Sequence, residues 1–362
     1  MNLRDERQRE FADLWLNSNR KGILHIAPRM GKTRIGILIM NDLKLLFDPE
    51  VLIVYPDNKI RKSWEEEFEK MDYVNPNITF TTHLSLKKYV NNEYDLIILD
   101  EIHLLSENQI MAVMELLKLN KTCLGLSGTL SSSTEKYLKR ALNLPVLASY
   151  PIEQAIREGV IKDYEITVHK VPLSRTLTFY VDNQFSLTEK ERFDRLSYVI
   201  IELEKKKKDS KFLRLKRMRI IQNSVAKLNK TKELLLLHKE ERVLAFCGIT
   251  KIADSLGIPS YHSKSTEKAV FRDFVEGRIK QLAVCKIGQT GITYSPLSIS
   301  LINFFDSNPQ NLTQKILRAM SFEYDNPEQK ARIYIVSSDE PTELNWLSKA
   351  LEFFETSKIK YV

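Results

Sequence analysis

The sequence predicts an α/β protein of two tandem parallel-sheet lobes, with a helical insertion in the second. Three observations carry that expectation. Short apolar runs alternate with amphipathic stretches, the pattern of a parallel sheet covered by helices on both faces. Midway along the chain that alternation stops and restarts. A chain of 362 residues is also too long for one comfortable core and suits two domains of ordinary size.

In the first lobe, residues 1–148, strands are expected at 22–26, 51–55, 78–82, 95–99 and 122–126, with amphipathic helices at 33–47, 62–71 and 106–119. The join falls near the prolines at 145–151. In the second lobe, residues 149–362, strands are expected at 166–171, 242–246, 281–285, 298–304 and 331–336. The stretch of about 187–239 is charged, helix-prone and free of Gly and Pro, and reads as a helical elaboration of that lobe.

Composition excludes several classes. A hydrophobic fraction of 43% with 28% charged residues describes a globular chain, not a disordered one. No apolar run approaches the roughly 18–20 residues that cross a bilayer, so no membrane partner is expected. The first ten residues, MNLRDERQRE, are charged where an export signal would be apolar. Cys123, Cys247 and Cys285 are scattered, with neither zinc spacing nor a disulfide framework, which fits a reducing compartment. A cytoplasmic location is expected, the host's if the chain is phage-encoded. The six histidines are equally dispersed, and no structural metal is assigned.

Net charge is +8, and its location is informative. Residues 1–150 hold 20 basic and 20 acidic residues, so the excess lies in the remainder. Residues 205–219 (KKKKDSKFLRLKRMR) carry nine basic residues against Asp209 alone. Such a block either forms a solvated helix face or neutralises the phosphates of a nucleic acid. Beside the motor motifs below, phosphate contact is the favoured reading.

The strongest local signal follows the strand GILHI: a tight loop ends in Gly31-Lys32-Thr33, and a helix begins at once. That layout turns backbone N–H groups and the positive end of a helix dipole towards a phosphate chain. Lys32 would reach the terminal phosphates and the Thr33 hydroxyl would ligate Mg²⁺, with Arg29, Met30 and Gly31 forming the loop. The full phosphate-loop consensus is not met, because Ile26 stands at its first Gly position. The second signal is DLIILDEIH, in which an apolar strand ends in Asp100 and Glu101. Adjacent acids there either cap the next helix or work with Lys32: Asp100 on the magnesium and Glu101 on the attacking water.

These motifs resemble those of superfamily-2 DExH-box helicases and translocases. GKT, DEIH and Ser127-Gly128-Thr129 are similar to motifs I, II and III. VLIVYPDNKIRKSW (51–64) looks like motif Ia, TTHLSL (81–86) like Ib, RVLAFCGIT (242–250) like IV, CKIGQTGITY (285–294) like V and TQKILRAMS (313–321) like VI; YHSKST (261–266) resembles the stretch after motif IV. The approach to the second lobe, YPIEQAIREGVIKDYEI, is similar to that of phage UvsW-type and XPB-type DNA helicases. Gln8, in LRDERQ, resembles a Q-motif glutamine.

The resemblance implies two RecA-like lobes closing on ATP, with Lys32, Thr33, Asp100 and Glu101 from the first and Gly291, Gln314 and Arg318 from the second. Arg318 would act as an arginine finger. His103, Ser127 and Thr129 would couple phosphate state to movement, and Pro56, Asn58, Thr82, Gly248, Lys264 and Thr290 would hold the nucleic-acid backbone. The chain departs from the family at Ser321, where motif VI carries a second arginine, and at Arg29, where the loop usually has a small residue. Arg29 either supplies in cis some of the missing charge or faces solvent.

The function so implied is ATP-dependent unwinding or remodelling of DNA (single-stranded, forked or duplex) in phage replication, recombination or repair, with a replication or recombination protein as a further partner. RNA unwinding, duplex translocation without strand separation, and a non-catalytic nucleic-acid scaffold are the alternatives.

Overall fold

Two parallel sheets organise the chain. The computed structural model describes residues 3–75, 77–176, 178–181, 185–265, 269–285, 297–320 and 330–362. Each sheet is the centre of its own unit, the first reaching Ile161 and the second starting at Lys162.

The first sheet contains β1 (Lys21–Ile26), β2 (Val51–Tyr55), β3 (Ile78–Thr82), β4 (Leu96–Asp100), β5 (Cys123–Ser127) and β6 (Val146–Tyr150), in the order β3-β2-β4-β5-β1-β6. Every pairing is parallel. Strands β2, β4 and β5 are buried along their whole length, as strands covered on both faces must be. Since all six run the same way, the residues that follow β1, β4 and β5 emerge at one edge. Register aligns His25 with Ser127 and Asp100 with Leu126, so the three ends lie level.

The covering helices have legible ends. Ser106 and Gln109 form a capping box ahead of Glu107–Leu119, and the Ser131 hydroxyl accepts the Thr134 amide ahead of Ser132–Leu142. The opening helix, Leu3–Asn17, buries Phe11, Ala12 and Trp15; the Trp15 indole N–H donates to the Cys123 carbonyl at 3.3 Å.

The second unit begins with β7 (Tyr164–Val171) and an antiparallel hairpin, β8 (Thr178–Val181) and β9 (Phe185–Thr188). Its sheet is completed by β10 (Val243–Cys247), β11 (Ser260–His262), β12 (Gln281–Cys285), β13 (Ile299–Ile302), β14 (Ala331–Ser338) and β15 (Ile359–Tyr361), in the parallel order β11-β12-β10-β13-β14-β7-β15. The insertion consists of helices Glu189–Lys205, Lys211–Gln222 and Val225–Leu237, the last packed on β14 and β7. Glu189 ties the first of these to the third: its carboxylate accepts the Ser174 amide, the Ser224 hydroxyl and the Val225 amide.

Several details differ from the sequence expectation. β4 and β5 each end one residue later than expected, so Asp100 and Ser127 belong to the strands themselves. The stretch 145–151 holds edge strand β6, and the helix Ile152–Arg157 stays with the first unit. β8, β9, β11 and β15 are only 3–4 residues long, too short to show a period in the sequence.

Candidate active site

The loop after β1 is held in a shape that ordinary residues resist. Arg29 and Gly31 both have positive φ, 72° and 81°. At Gly31 a Cβ would lie 2.5 Å from Gln8 Nε2. Glycine is therefore needed there both for its backbone angle and for space. Gln8 Nε2 donates to the Met30 carbonyl at 2.7 Å, fixing the loop from beneath. Lys32 then opens the helix Lys32–Lys44, with Gly31 as its cap and Thr33 in its first turn. Arg29 is half-buried, which argues against a simple solvent-facing residue.

At the end of β4 the Asp100 carboxylate is buried and accepts two hydrogen bonds, from the Trp64 indole N–H and the Glu101 amide, both at 3.0 Å. Its own carbonyl lies 3.0 Å from His83 Nε2. Burial and the neighbouring Glu101 charge raise the Asp100 pKa to about 6, against the pull of Lys32. Glu101 takes a left-handed backbone, φ 50°, which turns its side chain towards the phosphate loop. Lys32 Nζ lies 2.5 Å from Glu101 Oε1. Burial pushes the Glu101 pKa up, yet Lys32, His103 and the Gly128 amide together hold it below the usual carboxylate range.

The end of β5 closes the group. Gly128 approaches so near that a Cβ would lie 2.9 Å from Lys32 Nζ and 3.0 Å from the Pro28 ring. His103 Nδ1 lies 2.8 Å from Ser127 Oγ and 3.4 Å from Glu101 Oε2, while Nε2 lies 3.3 Å from Thr129 Oγ1. Burial lowers the His103 pKa to about 4, so the ring is neutral at pH 7. Ser127 Oγ donates to the Thr129 carbonyl at 3.1 Å. The consistent tautomer then carries its proton on Nδ1, shared between Ser127 and Glu101, and Nε2 accepts from Thr129.

Lys32, Asp100, Glu101, His103, Ser127 and Thr129 are thus brought to one edge of the first sheet, with Gln8, Arg29, Met30, Gly31 and Thr33 in or beneath the adjoining loop. Pro56 and Asn58 follow β2, and Thr82 ends β3, accepting the Ser85 amide at 3.3 Å; these too lie on that edge. In the second unit Gly248 follows β10, packed so that a Cβ would meet the Phe304 ring at 2.7 Å. The Lys264 amide donates to His262 Nδ1 at 3.3 Å. Gln314 is half-buried on the helix Pro309–Leu317, and Arg318 is buried just after it. Thr290, Gly291 and Ser321 lie outside the described residues. Trp64 and His83, which position Asp100, fall inside the Ia-like and Ib-like segments but are not singled out there by sequence as site residues.

The donor set fits a nucleotide triphosphate with a divalent cation. Lys32 offers a cation at a helix N-terminus, and Asp100 is a carboxylate of the kind Mg²⁺ uses together with phosphate oxygens. Gln8 Oε1 is buried without a hydrogen-bond partner among the described residues, an acceptor suited to an exocyclic amine such as adenine's.

A family model described as the Type III restriction enzyme, res subunit, matches residues 1–132. The DNA 3'-5' translocase XPB2 of Sulfurisphaera tokodaii is 22% identical over 332 residues, covering 82% of this chain and 73% of that protein. Among solved structures, the Pyrococcus furiosus Hef helicase domain has a TM-score of 0.52 at 13% identity, covering 94% of this chain and 97% of that one. S. cerevisiae Dbp5 bound to RNA and ADP BeF3 has a TM-score of 0.57 at 13% identity, covering 98% and 88%. With two RecA-like sheets, motif residues gathered at one sheet edge and these matches, the chain is similar to the superfamily-2 helicases and translocases.

Proposed function

We propose that the chain hydrolyses ATP to drive movement along DNA, unwinding or remodelling it. The observation that carries this reading is the 2.5 Å contact of Lys32 with Glu101 beside Asp100, linked through His103 to Ser127 and Thr129. Lys32 binds the β- and γ-phosphates, and those phosphates compete with Glu101 for its ammonium. Freed of Lys32, Glu101 orients and deprotonates the attacking water. Asp100, held by Trp64, and the Thr33 hydroxyl would hold Mg²⁺, which when bound neutralises phosphate charge. The Nδ1 proton of His103 reports the state of Glu101 to Ser127 and Thr129, so hydrolysis reaches the loop after β5. Gln8 selects adenine. By the resemblance to superfamily-2 motors, Arg318 would stabilise charge on the γ-phosphate, Gln314 and Gly291 would add nucleotide contacts, and Pro56, Asn58, Thr82, Gly248, Lys264 and Thr290 would hold phosphates of the nucleic-acid strand.

Translocation along duplex without strand separation is the second reading, supported by the relatives, one a translocase by name and the other a restriction-enzyme subunit. One assay panel tests both: ATP turnover of the wild type and Lys32→Ala with single-stranded, duplex and forked DNA and matching RNA. DNA-stimulated turnover, lost at least a hundredfold in Lys32→Ala, is the expected result. Stimulation by duplex alone favours translocation, stimulation by RNA above DNA overturns the choice of polymer, and no turnover with any of them overturns the motor.

A further inference from the structure

We propose that the helical insertion docks an acidic peptide segment bearing apolar side chains, contributed by a partner protein. Helices Glu189–Lys205 and Lys211–Gln222 meet the helix Pro341–Leu351 around an open groove of 850 Å³. Its floor is apolar: Ile200, Ile201, Leu215, Met218 and Trp346 line it, and Ile201 and Leu215 remain 50% and 43% exposed. Its rim is cationic. Lys207, Lys208 and Lys211 line it beside Asp209 and Glu204; Asp209 accepts the Lys211 backbone amide at 2.8 Å, and among the described residues no carboxylate pairs with any of the three ammonium groups. Arg214, by contrast, is neutralised by Glu204 at 2.6 Å, and the Arg217 guanidinium lies over the Phe193 ring and donates to Ser197 Oγ.

Charge complementarity calls for an anionic occupant, and the floor decides which kind. A nucleic-acid strand gains its non-ionic affinity by stacking bases on flat aromatic faces. The exposed rings of the insertion, Tyr198 and Phe212, do not line this groove, Lys216 Nζ lies over one face of Phe212 at 4.7 Å, and Trp346 is a single ring where a strand needs a succession of them. A floor of aliphatic side chains and a methionine, with Trp346 as its one half-buried ring among the described residues, instead suits Leu- and Phe-like side chains laid in from an amphipathic helix. The lysine rim then pairs with that segment's carboxylates. The block 205–219 thereby acquires a role that a solvated helix face leaves unexplained.

The test uses the full chain, without nucleotide, so its result is independent of the ATP reaction. Two fluorescein-labelled 15-residue peptides, each with Asp and Glu on one helical face and Leu and Phe on the other in different registers, are titrated by anisotropy. At least one binds, and replacing its apolar residues with Ser abolishes binding. Leu215→Ser and the double change Lys207→Glu/Lys208→Glu each weaken it at least tenfold, with melting temperatures confirming that both variants fold. Failure of both peptides overturns the proposal. So does displacement of the peptide by a 15-residue oligothymidine combined with indifference to Leu215→Ser, which would make the groove a nucleic-acid grip.

Discussion

The two units each contain a Lys–Glu pair at 2.5 Å, Lys32–Glu101 and Lys227–Glu343, and the two pairs have opposite surroundings. Lys227 and Glu343 are 1% and 0% exposed, and their charges balance. The ammonium lies over the Phe305 ring and the free carboxylate oxygen accepts the Ser338 amide at 2.7 Å. Lys32 and Glu101 are 12% and 17% exposed, with a second acid, Asp100, beside them. One cation faces two carboxylates, Glu101 sits on a left-handed backbone, and Gly128 leaves no room for a side chain. Length and chemistry do not distinguish an open ion pair from a sealed one. Surplus charge, an open side and the strain that keeps it open do.

Breaking the sealed pair gives the largest stability effect. Lys227→Met should destabilise the protein by about 3–5 kcal/mol, because Glu343 is left buried and unpaired, and Lys227→Met/Glu343→Leu should recover most of the loss. Denaturant unfolding measures both. If the double variant is no more stable than the single one, the pair is not self-contained and the comparison fails.

The open site should show its cost through pH. The His103 pKa falls from its ordinary 6.5 to about 4, so the unfolded chain binds the extra proton first as pH drops. Stability from this group is present above pH 6.5 and is lost as pH falls to 4, on the order of 3 kcal/mol for a shift of this size. His103→Gln should flatten that acid limb. It should also cut nucleic-acid stimulation of ATP turnover about tenfold and the unstimulated rate less, since the 3.4 Å contact with Glu101 is lost together with the link to Ser127 and Thr129.

Asp100 runs the other way and is the smaller effect. Its pKa is raised to about 6 from an ordinary 3.8, so its unfavourable contribution is absent below the unfolded value and grows as pH rises through 6. Asp100→Asn, which keeps an acceptor for Trp64, should therefore be inactive yet about 1–2 kcal/mol more stable at pH 7, with the gain gone below pH 4. Thermal melts at the two pH values check it; equal stability at pH 7 would show that Asp100 is not strained.

Much of this was legible in the sequence. Strands 51–55, 78–82 and 281–285 match the structure residue for residue: the first is a fully buried unbroken apolar run and the third nearly so, while edge strand β3 (ITFTT) shows itself through its β-branched and aromatic residues. The insertion showed itself through its lack of Gly and Pro. The edge strands β6 and β15 did not: the first lies between prolines and the second spans Ile359–Tyr361 at the chain's end, where pairing with β7 rather than local pattern makes it a strand. At the site, Lys32 and the acid pair were visible from loop and strand context. Trp64 and His83 were not, because their contacts to Asp100 span 36 and 17 residues and leave no local trace. The groove of the insertion was hidden for the same reason: the sequence shows the lysines but not the apolar floor that two helices and Trp346 build between them.

Phosphate chemistry at the edge where β1, β4 and β5 end is the proposal on which the other expectations rest. Its most direct measurement is nucleotide binding and turnover in Glu101→Gln. ATP binding should stay within about threefold of the wild type and turnover should fall at least a hundredfold, as loss of a general base requires. Turnover at the wild-type rate in a folded Glu101→Gln protein would contradict it.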